Sequence, residues 1–306
     1  MKQYSWSLIS FLLMALLLSL NCNGQKKYSS QKNKALYEPT WELLSNYQTP
    51  TWFRDAKFGI YTHWGPNTEA DKDASGDWAQ WFGRRMYMKT SPNFEYAREH
   101  FGNQDSFGYK DIIPLFKGSK FNADDWAEMF KQAGAKFAGP VAIHHDNFAM
   151  WNSKVIKWNS VNMGPHKDIV GALEKAIKSR GMYFMTSFHH SFTWDYYVPA
   201  FDYDSRDTAY AGLYTMPHKK GDVPNERFLK IWLAKINEVV TNYQPSLIWF
   251  DMGFGETIPE AYQKKMFALY YNWAAVHHIK RVAVQKSESI HKHTVFLILR
   301  GAGKTP

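Results

Sequence analysis

Cysteine is almost missing from this chain. Cys22 is the only one among 306 residues, so neither an intramolecular disulfide framework nor a cysteine-based metal site is expected. Lys and Arg number 37 against 28 Asp and Glu, a formal net charge of +9. The basic residues are spread along the chain without a known nucleic-acid-binding signature, which argues against a nucleic-acid partner. With 45% hydrophobic and 21% charged residues, the composition also excludes a disordered or fibrous protein.

Long apolar runs are also scarce. The longest, SLISFLLMALLLSL at residues 7–20, is shorter than the roughly 20 residues that a membrane-spanning helix needs. Its length suits the core of a signal peptide, and the segment 19–22 that follows resembles a bacterial lipobox ending at Cys22. The sequence therefore predicts an exported protein. We expect a periplasmic or outer-membrane lipoprotein anchored through lipidated Cys22, with plain secretion as the alternative.

Residues 23–40 are polar and aperiodic, as expected of a tether. From Trp41 to residue 290, short apolar runs alternate with amphipathic stretches, which predicts repeated strand-then-helix units. The predicted strands are Phe58–Thr62, Phe137–Ile143, Met182–Phe188, Leu247–Phe250 and Val282–Gln285, and the predicted helices are Ala123–Ala135, Asp168–Arg180, Asn225–Tyr243 and Pro259–His277. The stretch 65–122 is predicted to be a large loop insertion with its own short helix.

This alternation predicts an α/β fold, either a (β/α)8 TIM-type barrel or a doubly wound sheet. No glycine-rich phosphate-binding motif follows a predicted strand, which disfavours the nucleotide-binding versions. Titratable residues follow all five strands: His63, the pair His144 and His145, the pair His189 and His190, Asp251 and Lys286. Since barrel active sites lie at the carboxyl ends of the strands, these residues predict a barrel with one site there.

Two chemistries could use such a set. Paired histidines and an aspartate on different strands could hold zinc for hydrolysis. Alternatively, a carboxylate could attack an anomeric carbon while histidines bind hydroxyl groups and tryptophans stack on the sugar. The His-x-His spacing common in metal-binding barrels is absent from these strand ends. Tryptophans near the strand ends favour the sugar, and they are Trp64, Trp78, Trp81 and Trp249.

Several separated motifs carry a resemblance to a known family. AKFGIYTHWG at residues 56–65, WFGRRMY at 81–87, HHDNF at 144–148 and LIWFD at 247–251 are similar to segments of the α-L-fucosidases of glycoside hydrolase family 29. The resemblance covers roughly residues 40–290. It implies a (β/α)8-like barrel and a retaining exo-glycosidase without a cofactor. Its partners would be fucosylated oligosaccharides, glycoconjugates or fucans.

The resemblance also implies residue roles. Asp251 would be the nucleophile that forms a covalent fucosyl-enzyme. The substrate-binding residues would be His63, Trp81, His144, His145, His190, Trp249 and Lys286, with His190 in the place of a binding tyrosine. Gln80 stands where many relatives have Glu, and Asn147 replaces a Gly, a change expected to matter little beyond the local turn.

The acid/base that a retaining glycosidase also needs is not identified by the sequence. Relatives carry a glutamate in an Asp-Leu-Glu-Arg-Gly-like segment, whereas this chain reads VFLILRG at residues 295–301. We hypothesise a frameshift near Phe296, so that residues 291–306 form an altered tail, the barrel is incomplete, the C-terminal β-sandwich is absent and turnover is lost.

Glu288 is left as an acid/base candidate without a supporting motif, with Glu256 as another nearby carboxyl. Two other functions stay open. One is a metal-dependent hydrolase on a similar barrel, and the other is a lipoprotein that binds fucose without cleaving it.

Overall fold

The computed structural model describes residues 37–70, 79–285 and 296–297. Their strands form one sheet in chain order, in which every neighbouring pair is parallel. The strands are β1 (Gly59–Thr62), β2 (Phe137–Ile143), β3 (Tyr183–Phe188), β4 (Leu247–Phe250), β5 (Val282–Gln285) and β6 (Phe296–Leu297). The five predicted strands are confirmed to within one residue. The sixth was not predicted and lies in the segment that we expected to be an altered tail.

Four long helices connect these strands, as parallel pairing requires a crossover. They are Ala123–Gln132, Ile169–Ser179, Glu226–Tyr243 and Glu260–Val276, and all four were predicted. Three of them begin at a side-chain cap. Asn122 accepts from the amide of Asp124, Asp168 from that of Gly171, and Asn225 from that of Phe228, which satisfies amide groups that lack an intrahelical partner.

The stretch 65–122 is more helical than predicted. The residues described in it form the helices Asn67–Ala70, Phe82–Arg85, Pro92–His100 and Tyr109–Ile112, with 3₁₀ turns at Ala79–Trp81 and Ile113–Leu115. Elsewhere, short helices cover Trp41–Leu44, Thr51–Ala56, Thr193–Tyr196, Ala211–Tyr214 and Phe254–Thr257, and 3₁₀ turns cover Val198–Asp202, Asp204–Arg206 and Thr208–Tyr210. Buried aromatic residues such as Phe82 and Tyr109 hold these short elements on the core, so tertiary packing rather than periodicity defines them.

The central strands are buried on both faces. In β2 every residue after Phe137 is buried, and in β3 every residue after Tyr183. Continuous burial of this kind is typical of parallel strands covered on both sides. At Gly139, a Cβ would lie 1.7 Å from the carbonyl oxygen of Met185, so only glycine lets β2 approach β3 this closely. The predicted α/β class, with parallel strands in the sequential order of a barrel, is confirmed.

Packing begins earlier than the expected domain start at Trp41. The amide of Tyr37 donates to Asn272 Oδ1 over 2.9 Å, and Asn272 Nδ2 donates back to the Tyr37 carbonyl over 2.7 Å. Further along, Tyr47 Oη donates to the carbonyl of Arg281 and Trp52 Nε1 to that of Lys280. The N-terminal elements therefore lie against the helix Glu260–Val276 and the turn that follows it.

The predicted signal peptide, Cys22 and nearly all of the predicted tether lie outside the described residues. Among the helices that are described, none combines the length and the apolar character needed to cross a membrane.

Candidate active site

Asp251 lies at the carboxyl end of β4, directly after the buried Phe250. Strands β3 and β4 pair with Phe188 opposite Phe250, and the amide of Asp251 donates to the carbonyl of Phe188 over 3.4 Å. This register brings the residue after Phe188 next to Asp251. The carboxylate side chain is only 10% exposed, so its interactions with neighbouring groups are little screened by water.

Two histidines converge on one oxygen of this carboxylate. His189 Nδ1 lies 3.2 Å and His145 Nε2 lies 3.6 Å from Asp251 Oδ2. Each ring is held from its other side, because His145 Nδ1 donates to the carbonyl of His189 over 2.5 Å and His189 Nε2 lies 3.1 Å from Ser187 Oγ. Both imidazoles are therefore oriented before any ligand arrives.

Two further histidines complete the cluster from β1 and β2. The His144 ring centroid lies 4.4 Å from that of His145 and 5.0 Å from that of His189. His63 lies 5.0 Å from His189, and its Nδ1 is 3.2 Å from Gln80 Nε2. The structure thus brings together four histidines around Asp251. We call His63, His144, His145 and His189 the histidine cluster.

Aromatic rings border the cluster. The Trp81 centroid lies 5.5 Å from His145, and the Trp249 centroid lies 5.5 Å from His189. Phe192, 5.3 Å from His145, extends the apolar border and was missed by sequence reasoning. Trp64, in contrast, packs against Phe116 and other rings under the 65–122 stretch. The candidate Trp78 lies outside the described residues.

Burial sets the protonation of the cluster. Desolvation holds the pKa of His144 well below its usual range, and it lowers the pKa of His189 to about 3 although the charge of Asp251 opposes the shift. Both rings are consequently neutral at neutral pH. A neutral imidazole carries one donor and one acceptor nitrogen, which suits it to hydroxyl groups of a ligand.

Asp146 follows His145 directly and fixes the turn that carries the two adjacent histidines. Its carboxylate accepts from Tyr109 Oη over 2.7 Å and from the amide of Phe148 over 3.1 Å. Burial raises the pKa of Asp146 to about 6. These bonds hold the turn that carries His144 and His145, and they give Asp146 a structural part.

The structure does not bring His190 into the cluster, where we had expected a substrate-binding residue. Its ring stacks on Trp232 at 6.0 Å between centroids, and its Nε2 lies 3.2 Å from the Trp232 carbonyl. Successive side chains of an extended chain point to opposite faces, so His189 and His190 separate. Alternation predicts that His189 and His190 lie on opposite faces, and the structure shows that His189 is the one that faces Asp251.

The predicted Lys286 and Glu288 lie outside the described residues. Glu256, the other candidate acid/base, is exposed and accepts from the amide of Gly253 over 3.0 Å, a contact within its own turn.

Asp251 is a buried carboxylate surrounded by the histidine cluster and by two tryptophans, and it lies at the carboxyl end of sequential parallel strands. This arrangement places the protein in the class of α/β barrels with a candidate active site at the strand ends. The chain belongs to the alpha-L-fucosidase family, whose sequence profile matches residues 24–296.

Relatives in sequence and structure agree with this membership. The human plasma alpha-L-fucosidase is 33% identical over 216 residues, which cover 70% of this chain and 42% of the relative. The rat tissue alpha-L-fucosidase is 29% identical over 281 residues, or 90% and 54%. A Thermotoga maritima alpha-fucosidase in complex with fucose superposes with a TM-score of 0.66 at 27% identity, over 84% of this chain and 60% of the other. The chain spans about half the length of the curated relatives it matches.

Proposed function

We propose that this chain carries the sugar-binding and nucleophile part of a retaining α-L-fucosidase, with Asp251 as the nucleophile. The observation that carries the proposal is the convergence of His145 and His189 on Asp251 Oδ2. Family membership supports it, as do similar Thermotoga maritima structures that hold fucose or a mechanism-based inhibitor.

In the first step, an oxygen of Asp251 forms a bond to the anomeric carbon while the glycosidic carbon–oxygen bond breaks. The leaving oxygen takes a proton from a general acid, and a fucosyl ester of Asp251 results. Water then attacks the anomeric carbon, gives up a proton to the same acid/base, and releases fucose and the free carboxylate. We assign the acid/base to no described residue; Glu288 stays a candidate to be tested by its separation from Asp251, about 5–5.5 Å in retaining enzymes.

The histidine cluster binds the sugar hydroxyls in this proposal. His145 and His189 are oriented by fixed partners. His144 and His189 are neutral at neutral pH, so these two rings can donate to or accept from hydroxyl groups without a charge to desolvate. His189 takes the binding role that we had given to His190. Trp81 and Trp249 face the apolar side of the sugar, where aromatic rings contribute contact area.

The substrate class proposed is a fucosylated oligosaccharide or glycoconjugate. Binding by Lys286, export and lipidation at Cys22 remain predictions, because these residues lie outside the described part of the chain.

The test is hydrolysis of an aryl α-L-fucoside whose leaving group is so acidic that it needs no general acid, which isolates the role of the nucleophile. We expect Asp251→Asn to lower kcat/KM at least about a thousandfold. Asp195→Asn, at a carboxylate outside the histidine cluster that accepts from the amide of Gly221, is the control and should change little. A trapped 2-fluorofucosyl ester located at Asp251 by peptide mass spectrometry would support the covalent step. Unchanged turnover by Asp251→Asn would exclude the proposal.

A further inference from the structure

The nitrogens of the histidine cluster that are turned toward Asp251 share one target. His145 uses Nδ1 for the carbonyl of His189, which leaves Nε2 toward Asp251 Oδ2. His189 uses Nε2 for Ser187 Oγ, which leaves Nδ1 toward the same oxygen. His144 Nδ1 is buried and makes no hydrogen bond within the described residues. One ligand nitrogen from each of the three histidines lies within 4.8 Å of the others.

A ring with one nitrogen hydrogen-bonded to a fixed group and the other facing a shared point is typical of metal-binding histidines. Such a ligand is held by a hydrogen bond from its second ring nitrogen to a carbonyl, carboxylate or other fixed group. His145 and His189 both have that support already. Imidazole nitrogens with one carboxylate oxygen form a donor set that suits zinc.

We propose that His144, His145, His189 and Asp251 form a zinc site that competes with the sugar, so that zinc inhibits the enzyme. Small side-chain adjustments that keep the hydrogen bonds to the His189 carbonyl and Ser187 Oγ would bring each ligand nitrogen to the distance of about 2.0–2.1 Å from zinc that the metal requires. Bound zinc would occupy the nucleophilic oxygen and the nitrogens that otherwise bind hydroxyl groups. The inhibitory part of this inference rests on the proposed function, whereas the binding part does not.

Binding is tested first, with zinc alone and the full chain, by equilibrium dialysis and metal analysis. We expect one zinc per chain, and we expect cobalt in its place to give the visible absorption of a tetrahedral site. His145→Ala and His189→Ala should each weaken zinc binding at least tenfold. Ser187→Ala keeps every ligand and removes only the support of His189; it should weaken zinc binding about 10–100-fold. His277→Ala, at an exposed histidine of a helix end, is the control and should change nothing.

Activity then separates this inference from the proposed function. Zinc should inhibit fucoside hydrolysis, a chelator should restore it, and added fucose should weaken zinc binding. Absence of zinc binding, or equal binding by wild type and His189→Ala, would overturn the site while leaving the fucosidase proposal intact. Zinc binding without competition by fucose would overturn the inhibitory part. If turnover required zinc, the protein would be a metal-dependent hydrolase. That result would reject both the retaining mechanism and the inhibitory role of zinc.

Discussion

His189 and His190 follow β3 directly, and their buried side chains lie on opposite faces of the sheet. Only the face that carries His189 forms a candidate site. On the front, His189 faces Asp251 within the histidine cluster. On the rear, His190 stacks on Trp232 beside Lys235, which is only 3% exposed and donates to Asn147 Oδ1. We call His190, Lys235 and Asn147 the rear cluster.

The comparison shows that perturbed protonation does not by itself mark a site. Burial lowers the pKa of His189 to about 3 on the front, and on the rear it lowers that of Lys235 to about 7 and holds that of His190 well below its usual range. The difference lies in what the groups face. The front cluster surrounds a carboxylate, whereas no ion pair of Lys235 with a carboxylate occurs among the described residues.

Asn147 has a larger part in the rear cluster than its sequence position suggested. Its φ of +64° is tolerated by asparagine more readily than by most residues. Its Nδ2 donates to the carbonyl of Leu213 over 2.8 Å, while its Oδ1 accepts from Lys235. We had expected this replacement of a glycine to affect only the local turn, and the structure shows that it also anchors a buried amine.

The largest expected effect distinguishes the two neighbouring histidines. His189→Phe should lower kcat/KM for an aryl fucoside about a hundredfold or more, because it removes an oriented group at the nucleophile. His190→Phe should leave kcat/KM within about threefold of wild type, because a phenyl ring can still stack on Trp232. Steady-state kinetics of both variants, with near-UV circular dichroism to verify folding, measures the difference. A larger loss in His190→Phe would reverse our assignment of the two faces.

A smaller effect concerns stability and Lys235. Burial lowers the pKa of Lys235 from its ordinary value of 10.5 to about 7 in the folded chain. Between these two pH values the unfolded chain binds a proton at Lys235 that the folded chain does not. Lys235 therefore makes the free energy of unfolding rise with pH across that window. Lys235→Met should remove this dependence. The free energy of unfolding of wild type should therefore rise relative to that of Lys235→Met from pH 7 to pH 9, by at most about 1.4 kcal/mol per pH unit. Urea unfolding at both pH values measures it, with the exposed Lys230→Met as control; parallel pH profiles would contradict the prediction.

The smallest effect is expected where charges are exposed to water. Arg180 bridges Asp124 at 2.9 Å and Glu128 at 3.0 Å, and both carboxylates are half or more exposed. Since water and salt screen such pairs, Arg180→Ala should lower the Tm by only about 1 °C or less. Repeating the thermal melt in high salt should abolish the difference. A large loss of stability would show that distance matters more than burial for ion pairs in this chain.

Much of the fold and part of the site could be predicted from the sequence. Apolar runs identified five strands, and the carboxyl ends of parallel strands must meet, which is why His63, His144, His145 and Asp251 could be grouped. The sequence did not show which of His189 and His190 faces Asp251, because that depends on side-chain alternation at the strand end. Only one short helix was predicted between residues 65 and 122. The others were missed because their aromatic residues pack on distant elements rather than following a helical period.

The hydrogen bonds between Tyr37 and Asn272 have a consequence for how the chain folds. They join positions 235 residues apart, and the contacts of Tyr47 and Trp52 with residues 280 and 281 span a similar length. During synthesis, the first helices emerge long before their partners exist, and closing so long a loop costs conformational entropy. We therefore expect docking of the N-terminal helices to be a late folding event, with their apolar side chains exposed until the helix Glu260–Val276 has left the ribosome.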